Sequence, residues 1–307
     1  MLNIDKTEDR KNYIGGIDAP VIVLPNPKWK TKYQLWMEKT GRAEPKDISD
    51  KPEVEFGILQ EEVVRKKFIK DTGYEVIKPE EAIFHKQYDF IGAHLDGLGI
   101  DENGNQFVFE AKTSRYGKGW ENDSIPPDYQ IQVAHYLMVA DAPYAFIAVL
   151  ISGCDYHCYK IYRDYELEKE ILEREIDFWE NYVLKDIPPE LTTIEDFNYI
   201  EREETIAEAE PETKTLIKQY QDIQSAIKEL EDQKEALKLE IIKAMGTSEY
   251  LRADNVIVRY QKVESSTLDT KKLRAELPHI AEKYLRKNYS YRLTLKEIGR
   301  ASCRERV

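Results

Sequence analysis

Membrane-spanning character is the first thing this chain lacks. No uninterrupted apolar run among its 307 residues approaches the roughly 18–20 residues a helix needs to cross a bilayer. The N-terminus has no basic stretch followed by an apolar segment, so no secretory signal is expected and the cytoplasm is the expected location. Cysteine is scarce. Cys154, Cys158 and Cys303 are the only three, which suits a reducing compartment and excludes a disulfide framework. Cys154, His157 and Cys158 lie close together, but no second Cys/His pair completes a zinc site, which leaves them as incidental residues of a strand or turn. An excess of positive charge is missing too. The 45 Lys and Arg are outnumbered by 58 Asp and Glu, a formal net charge of −13. That excludes indiscriminate nucleic-acid binding, yet leaves room for a basic groove, because a phosphate meets the field of one face rather than the whole-chain sum. The acidity is uneven: residues 191–245 carry about −7, as expected of a solvated appendage. The 41% hydrophobic content suffices for a full core and a smaller attached region.

Along the chain, residues 1–9 read as a flexible start. Gly15 and Gly16 mark a turn, and Asp18 is placed to cap a short helix through Val23. Thr31 is placed to cap a second helix, with Tyr33, Leu35, Trp36 and Met37 as its apolar contacts and Gly41 as its stop. Residues 42–52 read as a loop. Glu55 to Thr72 reads as a helix with Phe56, Leu59, Val63, Phe68 and Ile69 on its apolar side and Gly73 closing it. Glu61 and Glu62 lie on this helix, Glu62 as solvated charge. Pro126 and Pro127 introduce the helix DYQIQVAHYLMVA, where Gln132, His135 and Tyr136 sit among core-like residues and His135 reads as a packed, satisfied histidine. Ala145–Ser152 is a near-continuous apolar strand, Cys158–Tyr162 alternates as another, and both suit a central sheet covered by helices. A long helix runs from Asp164 through Trp179 and Tyr182.

The C-terminal part differs. An acidic connection spans 191–210. Leu216, Tyr220, Ile223, Ile227, Leu230, Lys234, Leu237, Ile241 and Ala244 then recur at spacings of four and three, the seam of a coiled coil, with Gly246 as its stop. Such a seam serves either a helical hairpin within the chain or a homo-oligomer. A β segment over 255–263, a helix over 270–285 and the alternating SYRLTLK complete residues 211–297 as a helical and small α/β tail. Ile298 to Val307 read as translated sequencing-adapter sequence and are set aside from the fold, Cys303 with them.

The stretch AHLDGLGIDENGNQFVFEAK, residues 93–112, is where the chemistry concentrates. An apolar run ends in Asp96, an Asp/Asn/Gly-rich turn follows over 101–105, and a strand over 107–109 delivers Glu110, Ala111 and Lys112. Strand alternation puts Glu110 and Lys112 on one face, with Asp96 opposite them at the strand end. Two carboxylates suit a hard divalent ion such as Mg²⁺ that keeps water and phosphate oxygens in its shell, and a lysine beside it can hold a water or stabilise charge developing on a phosphate. In the loop that follows, Arg115, Lys118 and Trp120 are candidate DNA contacts, although a solvated loop explains them as well.

IGGIDAP with Trp36 downstream, FGILQEE, LDGL, FEAK, PPDYQIQVAHYLMV and RDYELEKEILEREIDFWE run in one order across about residues 10–190. Together they resemble the phage-type YqaJ recombinase exonucleases, relatives of bacteriophage lambda exonuclease in the PD-(D/E)xK superfamily. The resemblance implies an α/β restriction-endonuclease-like core over residues 1–190, a central mixed sheet flanked by helices, with the coiled-coil region appended. It implies Asp96 and Glu110 as metal ligands with the Ala111 carbonyl contributing, Lys112 positioning the attacking water, Glu61 completing the acidic site and Gln132 lining it, with Tyr136 one turn later. Arg10 resembles the arginine that holds the 5′-phosphate of a DNA end. Where the family usually has serine, this chain has Ile17, which offers no side-chain hydrogen bond to phosphate. The implied activity is Mg²⁺-dependent (Mn²⁺ substituting) digestion of linear duplex DNA, 5′ to 3′, leaving 3′ overhangs for a single-strand annealing protein in a phage or prophage setting. A restriction-like endonuclease and a noncatalytic DNA-binding scaffold are the alternatives.

Overall fold

The computed structural model describes residues 9–49, 51–285 and 292–295. Ser290, Tyr291 and Lys296 of the SYRLTLK segment, and all of 298–307, lie outside the described residues. The chain divides into two compact units, Met1–Ile200 and Glu201–Val307.

In the first unit the order is α1 (Ala19–Val23), α2 (Lys32–Lys39), α3 (Pro52–Thr72), β1 (Val76–Ile77), β2 (Ile83–Phe84), β3 (Gly92–Ala93), β4 (Gly97–Ile100), β5 (Gln106–Ser114), α4 (Pro127–Ala140), β6 (Tyr144–Ile151), β7 (Asp155–Tyr162) and α5 (Tyr165–Asp177). Five strands form one mixed sheet in the order β1-β4-β5-β6-β7, parallel between β5 and β6 and antiparallel elsewhere. The hairpin expected between Asp96 and Lys112 is β4 and β5, paired from Gly97↔Phe109 to Ile100↔Gln106. Its turn is held by Asp101, whose Oδ1 accepts from the Asn103 and Asn105 amides at 2.9 and 2.8 Å. β5 runs to Ser114, several residues beyond the expected strand, because Thr113 and Ser114 keep pairing with Leu150 and Ile151 of β6.

Alternation along β5 divides the core. Phe107, Phe109 and Ala111 pack under Val64 and Phe68 of α3. On the opposite side, Val108 packs with Val133, Leu137 and Met138 of α4 and with Ile147 and Val149 of β6. The stripe expected on α3 is corrected in part: Phe68 and Ile69 pack on the core as expected, but Phe56, Leu59 and Val63 are 57%, 50% and 55% exposed, and Val64 joins Phe68 in seating the helix. Gly73, in the left-handed conformation at φ 73°, ends α3 as expected.

The other helix ends are only partly as expected. Thr31 caps α2 in a reciprocal capping box with Gln34. Asp18 makes no side-chain cap; its carboxylate accepts from the Gly15 amide at 3.0 Å and pairs with Lys39 at 2.7 Å. α5 is capped by Asp164 and runs into a π-helical turn over Phe178–Val183. Residues 191–200 of the acidic connection belong to the first unit, where buried Asp196 accepts from Thr31 Oγ1 at 2.7 Å and Gln34 Nε2 at 2.9 Å.

The second unit contains α6 (Pro211–Met245), the hairpin β8 (Tyr250–Ala253) and β9 (Val256–Arg259), α7 (Thr270–Glu276) and α8 (Pro278–Lys283). The β segment expected over 255–263 is the second arm of that hairpin and ends at Arg259. The helix expected over 270–285 is broken at Pro278, which cannot continue the backbone ladder of α7.

His135 is the buried, satisfied residue its surroundings suggest. Its Nδ1 lies 2.7 Å from Glu175 Oε1 on α5 and its Nε2 lies 2.9 Å from the Gly92 carbonyl on β3, so both ring nitrogens face acceptors. Burial pulls its pKa down, but the Glu175 charge and hydrogen bond outweigh that and the net direction is up. The prediction is that Glu175→Ala, by leaving a buried imidazolium unpaired, costs about 3–5 kcal/mol. Because the folded-state pKa is raised, the pair's contribution is complete below the ordinary histidine value of about 6.5 and fades as pH rises through the folded value. Urea titrations of wild type and Glu175→Ala across pH 5–9 should therefore differ most at the acid end.

Candidate active site

β5 carries two functional side chains on one face because they are two residues apart, and α4 brings a third against them. Glu110 is 2% exposed. Its Oε1 accepts from Lys112 Nζ at 2.5 Å and from Gln132 Nε2 at 3.1 Å. Its Oε2 is buried without a hydrogen-bond partner among the described residues. Asp96, one residue before β4, is half-buried and lies opposite Glu110, where its Oδ2 accepts from the Ala111 amide at 2.9 Å. Burial and the neighbouring Asp96 carboxylate push Glu110 up to about 8, against the pull of Lys112. Burial works against the Lys112 ammonium, but the Glu110 and Asp96 charges hold its pKa above the usual lysine value.

The chain continues outward from Glu110. Gln132 donates to the Tyr136 hydroxyl at 2.7 Å. Burial, followed by the Glu110 and Asp96 charges, raises the Tyr136 pKa, so the phenol stays protonated. The Tyr136 ring rests on Gly16: a Cβ there would lie 2.2 Å from Tyr136 Cε1, so no larger residue fits without moving the ring. Tyr136 also lines a cavity of about 170 Å³ with Arg10, Lys11, Lys30, Lys39, His94 and Ile17. The expected phosphate-binding arginine and the expected catalytic cluster thus share one wall, Tyr136.

Glu61 faces this side of the molecule from α3. Burial and then the Asp96 charge raise its pKa, and its carboxylate pairs with Lys78 at 3.0 Å. Glu62 is exposed and pairs with Arg65 and Lys66, the solvated role expected of it. Arg115 and Lys118 are exposed; the Arg115 guanidinium lies over the Tyr116 ring at 5.0 Å. Trp120 is a correction. It is 6% exposed and stacked between Tyr129 and Tyr159 at 5.6 and 5.8 Å, so it is core rather than a loop contact to DNA. Its role reaches the site indirectly, because Lys112 Nζ sits over the Tyr129 ring at 4.9 Å.

Sequence reasoning missed Lys78, Tyr129, Lys30, Lys39 and His94. Tyr129 alone carried a signal, three residues before Gln132 and thus on the same face of α4.

Residues 7–143 match the YqaJ-like viral recombinase domain. The chain is 35% identical over 302 residues to the "Uncharacterized protein YqaJ" of Bacillus subtilis (strain 168), covering 95% of this chain and 93% of that protein. The chain belongs to the YqaJ-like recombinase family. Its fold is similar to that of the alkaline exonuclease LHK-Exo from Laribacter hongkongensis, with a TM-score of 0.51 at 17% identity over 59% of this chain and 92% of that one. The same enzyme in complex with dAMP gives a TM-score of 0.50 at the same identity and coverage.

Among the described residues no group of three or more His, Cys, Asp or Glu side chains is gathered to hold a metal ion. The pair Asp96 and Glu110 nevertheless fits a divalent cation. Two carboxylates crowd one another, one oxygen of Glu110 has no partner among the described residues, and a hard cation that retains several waters needs only one or two protein carboxylates.

The Gly16–Tyr136 contact yields a prediction. Gly16→Ala should destabilise by about 1–3 kcal/mol through overpacking. In a Tyr136→Ala background the same substitution should cost almost nothing, a coupling that a double-mutant cycle in urea reads directly.

Proposed function

We propose that this protein is a divalent-metal-dependent DNA exonuclease that digests linear duplex DNA from its 5′ ends and leaves 3′ overhangs for a single-strand annealing protein. The observation that carries the reading is the cluster of half-buried Asp96 and Lys112 with buried Glu110 and Gln132, which shares Tyr136 with the cavity that contains Arg10. Membership of a viral recombinase family and a fold similar to that of an alkaline exonuclease support it.

Asp96 and Glu110 would hold the cation, with the Ala111 carbonyl and, from α3, Glu61 as further oxygens. Mg²⁺, or Mn²⁺ in its place, supplies Lewis-acid stabilisation of the phosphate and a lowered pKa for bound water. The protein's own groups do the rest. Lys112, pinned between Glu110 and the Tyr129 face, keeps an ammonium beside the scissile phosphate, where it orients the attacking water and opposes charge growing on the phosphate oxygens. Gln132 holds Glu110 in one rotamer and leaves Oε2 for the cation. Arg10 binds the terminal 5′-phosphate, its planar fork matching phosphate oxygens. The cavity is lined by four Lys and Arg side chains against the carboxylates of Asp18 and Glu38, a local excess of positive charge that compensates for the hydroxyl Ile17 does not provide. Arg115 and Lys118 lie exposed at the end of β5, placed to meet the backbone of the strand.

The experiment is nucleotide release from linear duplex DNA bearing 5′-phosphate or 5′-hydroxyl ends, with closed circular DNA as control. Release should require Mg²⁺ or Mn²⁺, come from linear DNA only, and vanish in Glu110→Ala and Lys112→Ala. Arg10→Ala should lose about 10–100-fold of the preference for 5′-phosphate, the worth of a hydrogen bond to a charged group. A hundredfold excess of Mg²⁺ over its dissociation constant should stabilise the wild type by about 2.7 kcal/mol and leave Glu110→Ala unmoved. Cleavage of circular DNA, or full activity in pure Glu110→Ala, refutes the reading.

A further inference from the structure

Two ammonium groups serve the acidic site, and they are held differently. Lys112 has 18% of its side chain exposed and is clasped between the Glu110 carboxylate and the Tyr129 ring. Lys78 has 51% of its side chain exposed and reaches Glu61 Oε2 at 3.0 Å.

The fold explains how Lys78 arrives there. β1 pairs Ile77 with Leu98 of β4, two residues after Asp96, so the residue that follows Ile77 leaves the sheet at the end of β4 where Asp96 sits. Strand alternation gives Lys78 the face of Val76, and Val76 packs with Val64 and Phe68 of α3. Glu61 precedes Val64 by three residues, one turn earlier on that helix. Pro79 holds the Lys78 backbone extended, which carries the side chain on in the direction of the strand. Burial works against the Lys78 ammonium, but the Glu61 hydrogen bond and the Glu61 and Asp96 charges outweigh it, and its pKa is raised. Asp96 thus acts on two carboxylate–ammonium pairs, Glu110 with Lys112 and Glu61 with Lys78.

We propose that Lys78 holds the place of a divalent cation at Glu61. On the reading above that Asp96 and Glu110 ligate such a cation, its binding makes Glu61 exchange the Lys78 ammonium for the metal, and Lys78 turns into solvent. Magnitudes favour the exchange. A half-exposed lysine–carboxylate pair is worth at most about a fivefold factor in an equilibrium constant, so a doubly charged ion already held by two carboxylates displaces it. Lys112 is retained, because burial between Glu110 and Tyr129 leaves its ammonium no route to water. In the metal-free protein Lys78 neutralises Glu61, and by competing with the cation it sets the concentration at which the site loads. A lysine that instead aimed Glu61 at the metal would strengthen loading, so the two roles have opposite signs.

Calorimetric titration of the full-length, DNA-free chain with Mn²⁺ alone tests the exchange. Lys78→Met keeps the aliphatic stem at a half-exposed position and removes the charge; it should bind Mn²⁺ about two- to fivefold more tightly than wild type. Glu61→Gln should bind more weakly than wild type. In the Glu61→Gln background Lys78→Met should change nothing, whereas a general loss of positive charge near the site would act equally in both backgrounds. Unchanged or weaker binding by Lys78→Met overturns the exchange, as does a gain of the same size with and without Glu61. If wild type takes up no Mn²⁺, or takes it up no better than Glu110→Ala, the cation reading itself fails and the exchange with it.

Discussion

The alternation of side chains along β5 forces a carboxylate into the interior. Phe107, Phe109 and Ala111 must face α3 to close the core beneath Val64 and Phe68, and Glu110 is thereby turned toward α4 with 2% of its surface exposed. A carboxylate so placed costs several kcal/mol unless it is neutralised or hydrogen-bonded. The surrounding groups meet that demand only in part. Lys112 and Gln132 both serve one oxygen, Asp96 adds a second negative charge nearby, and the other oxygen has no partner among the described residues. The elevated pKa of Glu110 expresses this imbalance. Under the proposed function the missing positive charge belongs to the bound cation. The remaining polar groups of α4 hold the arrangement in place: Gln132 and Tyr136 extend the hydrogen-bond chain, Gly16 gives the Tyr136 ring room, and His135 ties α4 to β3 and α5.

The hairpin and its charged end were legible because the signals are local. The Asp/Asn/Gly turn at 101–105 and the two-residue separation of Glu110 and Lys112 need no knowledge of the rest of the chain. The Thr31 capping box and the stop at Gly73 are local in the same sense. What the sequence concealed depends on contacts between distant segments. On α3 two apolar stripes compete, one through Phe56, Leu59 and Val63 and one through Val64 and Phe68. Periodicity alone does not say which meets the sheet; the aromatic cluster of Phe68 with Phe107, Phe109 and Phe146 decides it. Trp120 sits in a polar, glycine-containing stretch and reads as exposed, yet its ring fills the space between Tyr129 and Tyr159. Lys78 looks like any loop lysine until the fold brings it to Glu61, 17 residues earlier in the chain.

Net charge is a poor guide to what such a surface meets. The chain totals −13, and a repulsive encounter with DNA follows if that figure is applied everywhere. The distribution is otherwise. Residues 201–245 carry a large share of the acid, while the cavity beside Tyr136 gathers Arg10, Lys11, Lys30 and Lys39 against two carboxylates. Some of that positive charge is already engaged: Lys39 binds Asp18 and the backbone carbonyls of Arg10 and Tyr13, and Lys30 binds Glu38. Lys39 therefore acts first on the protein, fixing the backbone of the turn that presents Arg10. A guanidinium delivered by a backbone tied down at both Arg10 and Tyr13 loses little freedom on meeting a phosphate, and preorganisation of this kind raises affinity without adding a contact. In the proposed exonuclease, Tyr136 and Gln132 form the path between the cavity that contains Arg10 and the carboxylate of Glu110. That path gives a physical reason for cleavage to be counted from the DNA end.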